Sequence, residues 1–121
     1  LCLLASLDVD RDGEADWTAL FCGDAEADQV ACVAEEQGLC ESGGVDVLKV
    51  GHHGARVSLT DELARALSPR VALVSCGANN RYGHPNEETL ARLGSVGAQI
   101  LRTDQQGDVK LTFTKETIQV G

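Results

Sequence analysis

Apolar and polar positions alternate along this chain in short blocks, and the blocks predict a strand-and-helix order. Leu1 to Leu7 is an almost continuous apolar run of strand length. The polar stretch from Asp8 to Asp16, with Gly13 inside it, reads as an acidic loop, and Trp17 to Cys22 reads as a second strand closing a hairpin. Ala25 to Gln37 has helical spacing and stops at Gly38. After the Ser42-Gly43-Gly44 turn, Val45 to Val50 predicts a strand that runs directly into Gly51-His52-His53-Gly54. Ser58 or Thr60 caps a helix through Leu67, which Ser68-Pro69 terminates. Val71 to Cys76 is apolar throughout, the pattern of a strand buried on both faces. Asn86 opens a helix that ends near Gly94 to Gly97, and Gln99–Arg102, Asp108–Thr114 and Glu116–Val120 are short closing strands. Strand alternating with helix predicts α/β layers (α+β in the layered sense) in one domain over residues 1–121, with no repeat and no linker.

Composition sharpens this picture in three ways. The only aromatic residues are Trp17, Phe21, Tyr82 and Phe113, so the core is built from Leu, Val, Ile and Ala. A net charge of −9 with scattered basic residues argues against nonspecific nucleic-acid binding through a basic surface, because phosphate contacts need Lys and Arg. It leaves open a nucleic acid held at a metal, since a divalent cation reverses the local field. The five cysteines form no C-x-x-C, so a zinc ribbon is excluded. Their expected role is as small buried apolar residues, and a Cys32–Cys40 disulfide stays open in an oxidising compartment. No stretch is long enough to span a membrane, and the run from Leu1 is too short and lacks the basic start of a signal peptide. Beginning abruptly on a strand without Met, the sequence reads as a piece of a longer chain.

Three loops concentrate chemistry, each just past a predicted strand: Phe21-Cys22-Gly23-Asp24-Ala25-Glu26, Lys49 to Gly54, and Asn79 to Pro85. Ligand sites in α/β sheets gather at such strand ends. All three histidines lie in these loops. Carboxylate and imidazole converging from separate strands suit zinc or manganese. Each loop also has a plain reading. Asp24 caps the following helix, the His52-His53 pair is a hydrogen-bonded turn, and His84-Pro85 punctuates a loop. The acidic loop matches the first six positions of an EF-hand, but Ala19 stands where a bidentate Glu is required and the flanks are strands. A solvated acidic hairpin turn is the expected form, with calcium binding at most at millimolar levels.

Taken in order, these motifs resemble the metallo-β-lactamase superfamily, in the form found at the C-terminal domain of ComEC-type DNA-uptake channels. Val45 to Gly54 is similar to its late double-histidine motif, Asn79 to Pro85 to its next signature, and Leu20 to Glu26 to the strand that carries the metal-bridging aspartate. Arg102-Thr103-Asp104 with Gly107 resembles the closing segment. The resemblance implies the C-terminal half of an αββα sandwich. It implies Asp24 as bridging ligand and His53 as ligand of the second metal, with His52 as the alternative. It further implies His52 and His84 as substrate-facing catalytic residues, and Asn80 and Arg81 as contacts to a phosphate oxygen.

The parent domain would then be a two-metal phosphodiesterase or nuclease acting on DNA during competence, part of a bacterial inner-membrane protein and exposed on its extracytoplasmic side. A noncatalytic structural or binding module of the channel is the alternative, and a calcium module resting on Asp8 to Asp16 is a third. The superfamily's His-x-His-x-Asp-His signature is absent from this chain, as is a further histidine ligand. The half-sandwich should also expose the inner face of its sheet and self-associate. Catalytic zinc sites use three protein ligands and a water. The isolated chain is therefore expected to be inert and to retain substoichiometric metal on elemental analysis after zinc or manganese supplementation. A one-to-one, submicromolar zinc titration of the monomer would overturn that expectation.

Overall fold

The computed structural model describes residues 2–77 and 84–120. Its main sheet has five strands in the order β1 (Leu3–Leu7), β2 (Trp17–Phe21), β3 (Val47–Lys49), β4 (Val71–Val74) and β5 (Gln99–Arg102). The β1–β2 pair is antiparallel, in register Leu3↔Phe21, and the other pairs are parallel. Parallel neighbours need a crossover. Helices α1 (Ala27–Glu36), α2 (Asp61–Leu67) and α3 (Glu87–Ser95) supply the three crossovers. A short helix, α4 (Thr103–Gln106), then leads to a separate hairpin of β6 (Leu111–Phe113) and β7 (Ile118–Val120). Among the described residues the fold is thus mixed α/β, with a mixed sheet and four α-helices, as the alternation of strand and helix predicted.

Side chains alternate across a strand, so each strand feeds two different layers. Leu20, Leu48, Val50, Ala72 and Val74 point to one face and pack against Val30 and Ala34 of α1, Leu63 and Leu67 of α2, and Leu93 of α3. Ala19, Val47, Val71 and Leu101 point to the other, where their neighbours are Leu111, Phe113 and Ile118 of the hairpin region. Three helices cover the first face; the two-stranded hairpin covers only part of the second. An apolar groove of about 280 Å³, lined by Leu7, Phe21, Val47, Leu73, Leu111 and Phe113 among others, runs along that second face. Phe21 is 40% exposed there.

Helix ends follow the expected chemistry. Thr60 Oγ1 accepts from the Leu63 amide at 3.1 Å, and Asn86 Oδ1 from the Glu88 amide at 2.9 Å. The start of α1 corrects one plain reading: its cap is Glu26, whose amide donates to Gln29 Oε1 at 2.9 Å, so Asp24 lies upstream of the helix and is not its cap. The region after β5 departs from expectation. Thr103 to Gln106 form α4, tied down where the Arg102 amide donates to Gln106 Oε1 at 2.7 Å, and the predicted Asp108–Thr114 strand shortens to Leu111–Phe113. The cysteines depart as well. Cys22 alone is buried; Cys2 and Cys76 are half-buried, and Cys32 and Cys40 are exposed free thiols.

The acidic loop is a turn built from its own carboxylates. Asp8 accepts from the Gly13 amide at 2.8 Å and the Asp12 amide at 3.2 Å, while Asp16 accepts from the Val9 amide at 2.8 Å. Such Asx bonds are why Asp favours turns. Ligand-type oxygens of Asp8, Asp10 and Asp16 lie within 4.8 Å of one another, and the Lys115 ammonium pairs with Asp10. That ion pair holds the Asp10 carboxyl below its ordinary value and the Lys115 ammonium above its own.

Gly44 is the tightest turn position. At φ +92°, a Cβ there would lie 2.0 Å from the Leu67 carbonyl oxygen, which accepts from the Val45 amide at 2.9 Å. Gly13 has the same φ, +92°, and open space around it. Gly13→Ala is expected to cost about 1 kcal/mol from backbone conformation alone, and Gly44→Ala at least about 2 kcal/mol more because the α2–β3 junction must shift. Urea unfolding of the two variants side by side measures the difference, and equal losses would refute the packing role of Gly44.

Candidate metal centre

Two of the three chemistry-bearing loops are joined by the β2–β3 pairing. The register Phe21↔Lys49 continues with the Cys22 amide donating to the Lys49 carbonyl at 3.3 Å and the His52 amide to the Gly23 carbonyl at 2.8 Å. Gly51 makes this approach possible, since a Cβ there would meet the Ala25 carbonyl oxygen at 2.5 Å. The outcome is an exposed Asp24 carboxylate with Oδ1 3.9 Å from His53 Nε2.

His53 is fixed from behind. Its Nδ1 donates to the Ser75 carbonyl at 2.8 Å, so that in the neutral ring Nε2 is the nitrogen with the lone pair, and it is the one that faces Asp24. A backbone carbonyl on the far nitrogen is the usual orienting device for a metal-ligating histidine. Both His52 (φ 50°) and His53 (φ 55°) occupy the left-handed backbone region. Each such residue costs on the order of 1–3 kcal/mol, and such strain clusters at functional sites. His52 Nδ1 is buried with no hydrogen-bond partner among the described residues.

The third loop reaches the same place through His84. Its ring centroid is 5.6 Å from that of His52 and 6.3 Å from that of His53, which it nearly parallels. Gly54 lets Pro85 pack closely, because a Cβ there would sit 2.7 Å from Pro85 Cβ. The Gly54 carbonyl accepts from the Asn86 amide at 2.9 Å, tying the start of α3 to the histidine loop. Burial first, and then the His52 and His53 rings, push the His84 imidazole below its ordinary value. Asn80 and Arg81, the predicted phosphate contacts, lie outside the described residues.

Asp24, His52, His53 and His84 thus come together. Zinc binds nitrogen and oxygen at about 2.0–2.2 Å, which puts two tetrahedral ligand atoms about 3.4 Å apart. The 3.9 Å pair, with Nε2 facing the carboxylate and Nδ1 anchored, fits a shared cation after a small adjustment. Among the described residues, the one group of three ligand-type atoms within 4.8 Å is the acidic turn, so Asp24 and His53 form a two-ligand set.

Several supporting residues had no role assigned from sequence. Ser75 acts through its carbonyl, which any residue type supplies. Thr103 Oγ1 accepts from the Cys76 amide and donates to the Cys76 carbonyl, both at 2.9 Å, and so holds the strand end that carries Ser75. The Arg102 guanidinium grips Asp104 through two bonds of 3.0 and 2.7 Å, holding that carboxyl below its ordinary value. Cys22, beside the centre, is pushed up to about 12 by burial and stays a neutral thiol. Burial also lowers the half-buried Lys49 ammonium.

Comparison with known proteins gives sequence relatives but no matching family model. The chain is 44% identical over 68 residues to ComE operon protein 3 of Bacillus subtilis, a match covering 56% of this chain and 9% of that protein. It is 30% identical over 103 residues to Recombination protein 2 of Haemophilus influenzae, covering 85% of this chain and 12% of the relative. Competence protein ComA of Neisseria gonorrhoeae is 41% identical over 61 residues, covering 50% of this chain and 9% of that protein. The matches therefore span about a tenth of the length of these relatives.

The lowered His84 value has a definite sign. Above the unfolded-state value of 6.5 it leaves stability unchanged; as pH falls below 6.5 the unfolded chain takes up a proton before the folded one, and stability declines until the folded imidazole also titrates. An NMR titration should find His84 below the ordinary histidine range. His52→Ala should move it back up more than His53→Ala does. A His84 value at or above 6.5 in the parent chain would contradict the geometry.

Proposed function

We propose that this chain, related in sequence to competence proteins, is part of a metal-dependent phosphodiesterase domain that acts on DNA during natural-competence uptake. The observation that carries this reading is the Asp24–His53 pair, 3.9 Å apart, with the imidazole oriented by the Ser75 carbonyl. In the complete domain Asp24 and His53 would hold zinc or manganese, with His52 as the alternative ligand. Such ions would supply Lewis-acid chemistry there. The chain's own residues would do the rest. Asp24 presents a carboxylate free of any helix cap, and the Ser75 carbonyl keeps His53 in one tautomer. His84, held neutral by burial and its histidine neighbours, would accept or relay a proton beside the scissile phosphate. Asn80 and Arg81 would contact phosphate oxygens.

The unequal sheet faces support a metallo-β-lactamase-like half-sandwich. Three helices lie on one face, and the other is apolar and only partly covered. A second sheet laid on that face would complete an αββα arrangement and bring further ligands. In the parent protein the domain would be an extracytoplasmic part of an inner-membrane channel; no helix among the described residues is long and apolar enough to cross a membrane. The two-ligand set favours a second reading, a noncatalytic binding module of the same channel.

A domain carrying this chain together with the missing ligand set separates the two. It should hydrolyse a model phosphodiester and single-stranded DNA only with manganese or zinc. Asp24→Asn should lower the rate at least about 100-fold, since losses from outer-shell partners alone reach 10–100-fold. A fully metallated domain without such activity would leave the binding module. Taken alone, this chain should be a dimer or larger by light scattering at tens of micromolar, and Phe21→Lys should shift it toward monomer; a monomeric parent chain would count against the uncovered face.

A further inference from the structure

Two of the five cysteines stand opposite each other at the end of the sheet from which the candidate centre emerges. The β1–β2 register pairs Leu3 with Phe21, and one step further along the same ladder sets Cys2 opposite Cys22. The backbone of Cys22 is committed elsewhere. Its amide donates to the Lys49 carbonyl of β3 at 3.3 Å, and its carbonyl accepts from the Ala25 amide at 3.0 Å. Cys2 and Cys22 are therefore a non-hydrogen-bonded antiparallel pair. Such pairs bring Cα atoms to about 4.5 Å, with both side chains on one face. Disulfides bridge Cα separations of about 4.4–6.8 Å.

The side chains agree with this placement. Both belong to the helical face of the sheet, where Cys2 packs against the core that contains Cys22. Cys2 Sγ donates to the Cys22 carbonyl at 3.9 Å, and the two thiols are close enough to feel each other electrostatically. The other cysteines lie apart from this pair. Cys32 and Cys40 are exposed, and Cys76 follows β4, two strands beyond β2. Access is unequal within the pair: Cys22 is 1% exposed and Cys2 is half-buried, so a reagent in solution meets Cys2 first.

We propose that Cys2 and Cys22 form a reversible cross-strand disulfide that fastens the edge strand β1 to β2 immediately before Gly23-Asp24. The oxidant is a small disulfide, RSSR. The Cys2 thiolate attacks one of its sulfurs, forming a Cys2–SR mixed disulfide and releasing RS⁻. The Cys22 thiol then gives its proton to solvent and attacks the Cys2 sulfur, releasing the second RS⁻. Two protein thiols lose two electrons and two protons, and RSSR becomes two RSH. The bond needs neither metal nor catalysis, so it stands apart from the phosphodiesterase reading. Joining residues 20 positions apart removes freedom from the unfolded chain and stabilises the fold.

Oxidation of the whole reduced chain with oxidised glutathione, in the absence of metal, tests this. Digestion after Arg and Glu leaves each cysteine on its own peptide. Mass spectrometry should find the Cys2 peptide joined to the Cys22 peptide. At equal protein concentration, the midpoint of thermal unfolding should rise by at least about 5 °C over the reduced chain. Dithiothreitol should reverse both changes. Cys2→Ser should abolish the link and the rise, whereas a Cys32→Ser, Cys40→Ser double variant should keep them. A Cys2–glutathione adduct that never closes onto Cys22, a link from either residue to another cysteine, or a Cys2–Cys22 link without the rise would each overturn the proposal.

Discussion

Parallel pairing of β2 with β3 is the constraint on which the site depends. Neither strand carries the chemistry within its own span. The pairing sets Phe21 opposite Lys49, and both chains then leave the sheet at the same level. Asp24 is three residues past one strand partner, and His52 and His53 are three and four past the other, so they emerge as neighbours. The His52 amide to the Gly23 carbonyl, at 2.8 Å, carries this proximity one step beyond the sheet. A shift of register by one residue would move Asp24 away from His53 and turn the inward face of β3 outward. Fold and site are therefore specified by one set of contacts.

What could be read from the sequence follows from how local each signal is. The sheet strands and the helix caps at Thr60 and Asn86 are encoded by residue type and spacing within a few positions, and both appear where those residues place them. The gathering of Asp24, His52, His53 and His84 was legible because each lies in a loop past a strand. The role of Ser75 was not, because it acts through a carbonyl common to all residues. Thr103 was equally hidden: its hydroxyl reaches Cys76, 27 positions away, and only the β4–β5 pairing shows why. Asp24 was ambiguous in sequence, where a good cap residue stands just before a helix. The structure separates the two roles by starting α1 two residues later than a cap at Asp24 would require.

The two faces of the sheet obey different rules. On the helical face the chain closes its own core, with Leu20, Leu67 and Leu93 fully shielded. On the opposite face the hairpin leaves an apolar groove next to a charged cavity. That contrast separates the face the chain closes for its own folding from the face it leaves partly open.

The docking of that hairpin has an optical consequence. Trp17 is the chain's only tryptophan, 6% exposed. Its indole N–H donates to the Thr114 carbonyl at 2.6 Å, its ring meets Phe113 at 6.4 Å between centroids, and the Arg70 guanidinium lies 5.4 Å from it. The chain thus carries a native fluorophore at the seam between sheet and hairpin. Departure of the hairpin would wet this single indole and redden its emission, while the helices, packed on the far side, would keep their circular dichroism. Two spectra from one unlabelled sample would therefore distinguish loss of the seam from loss of the fold.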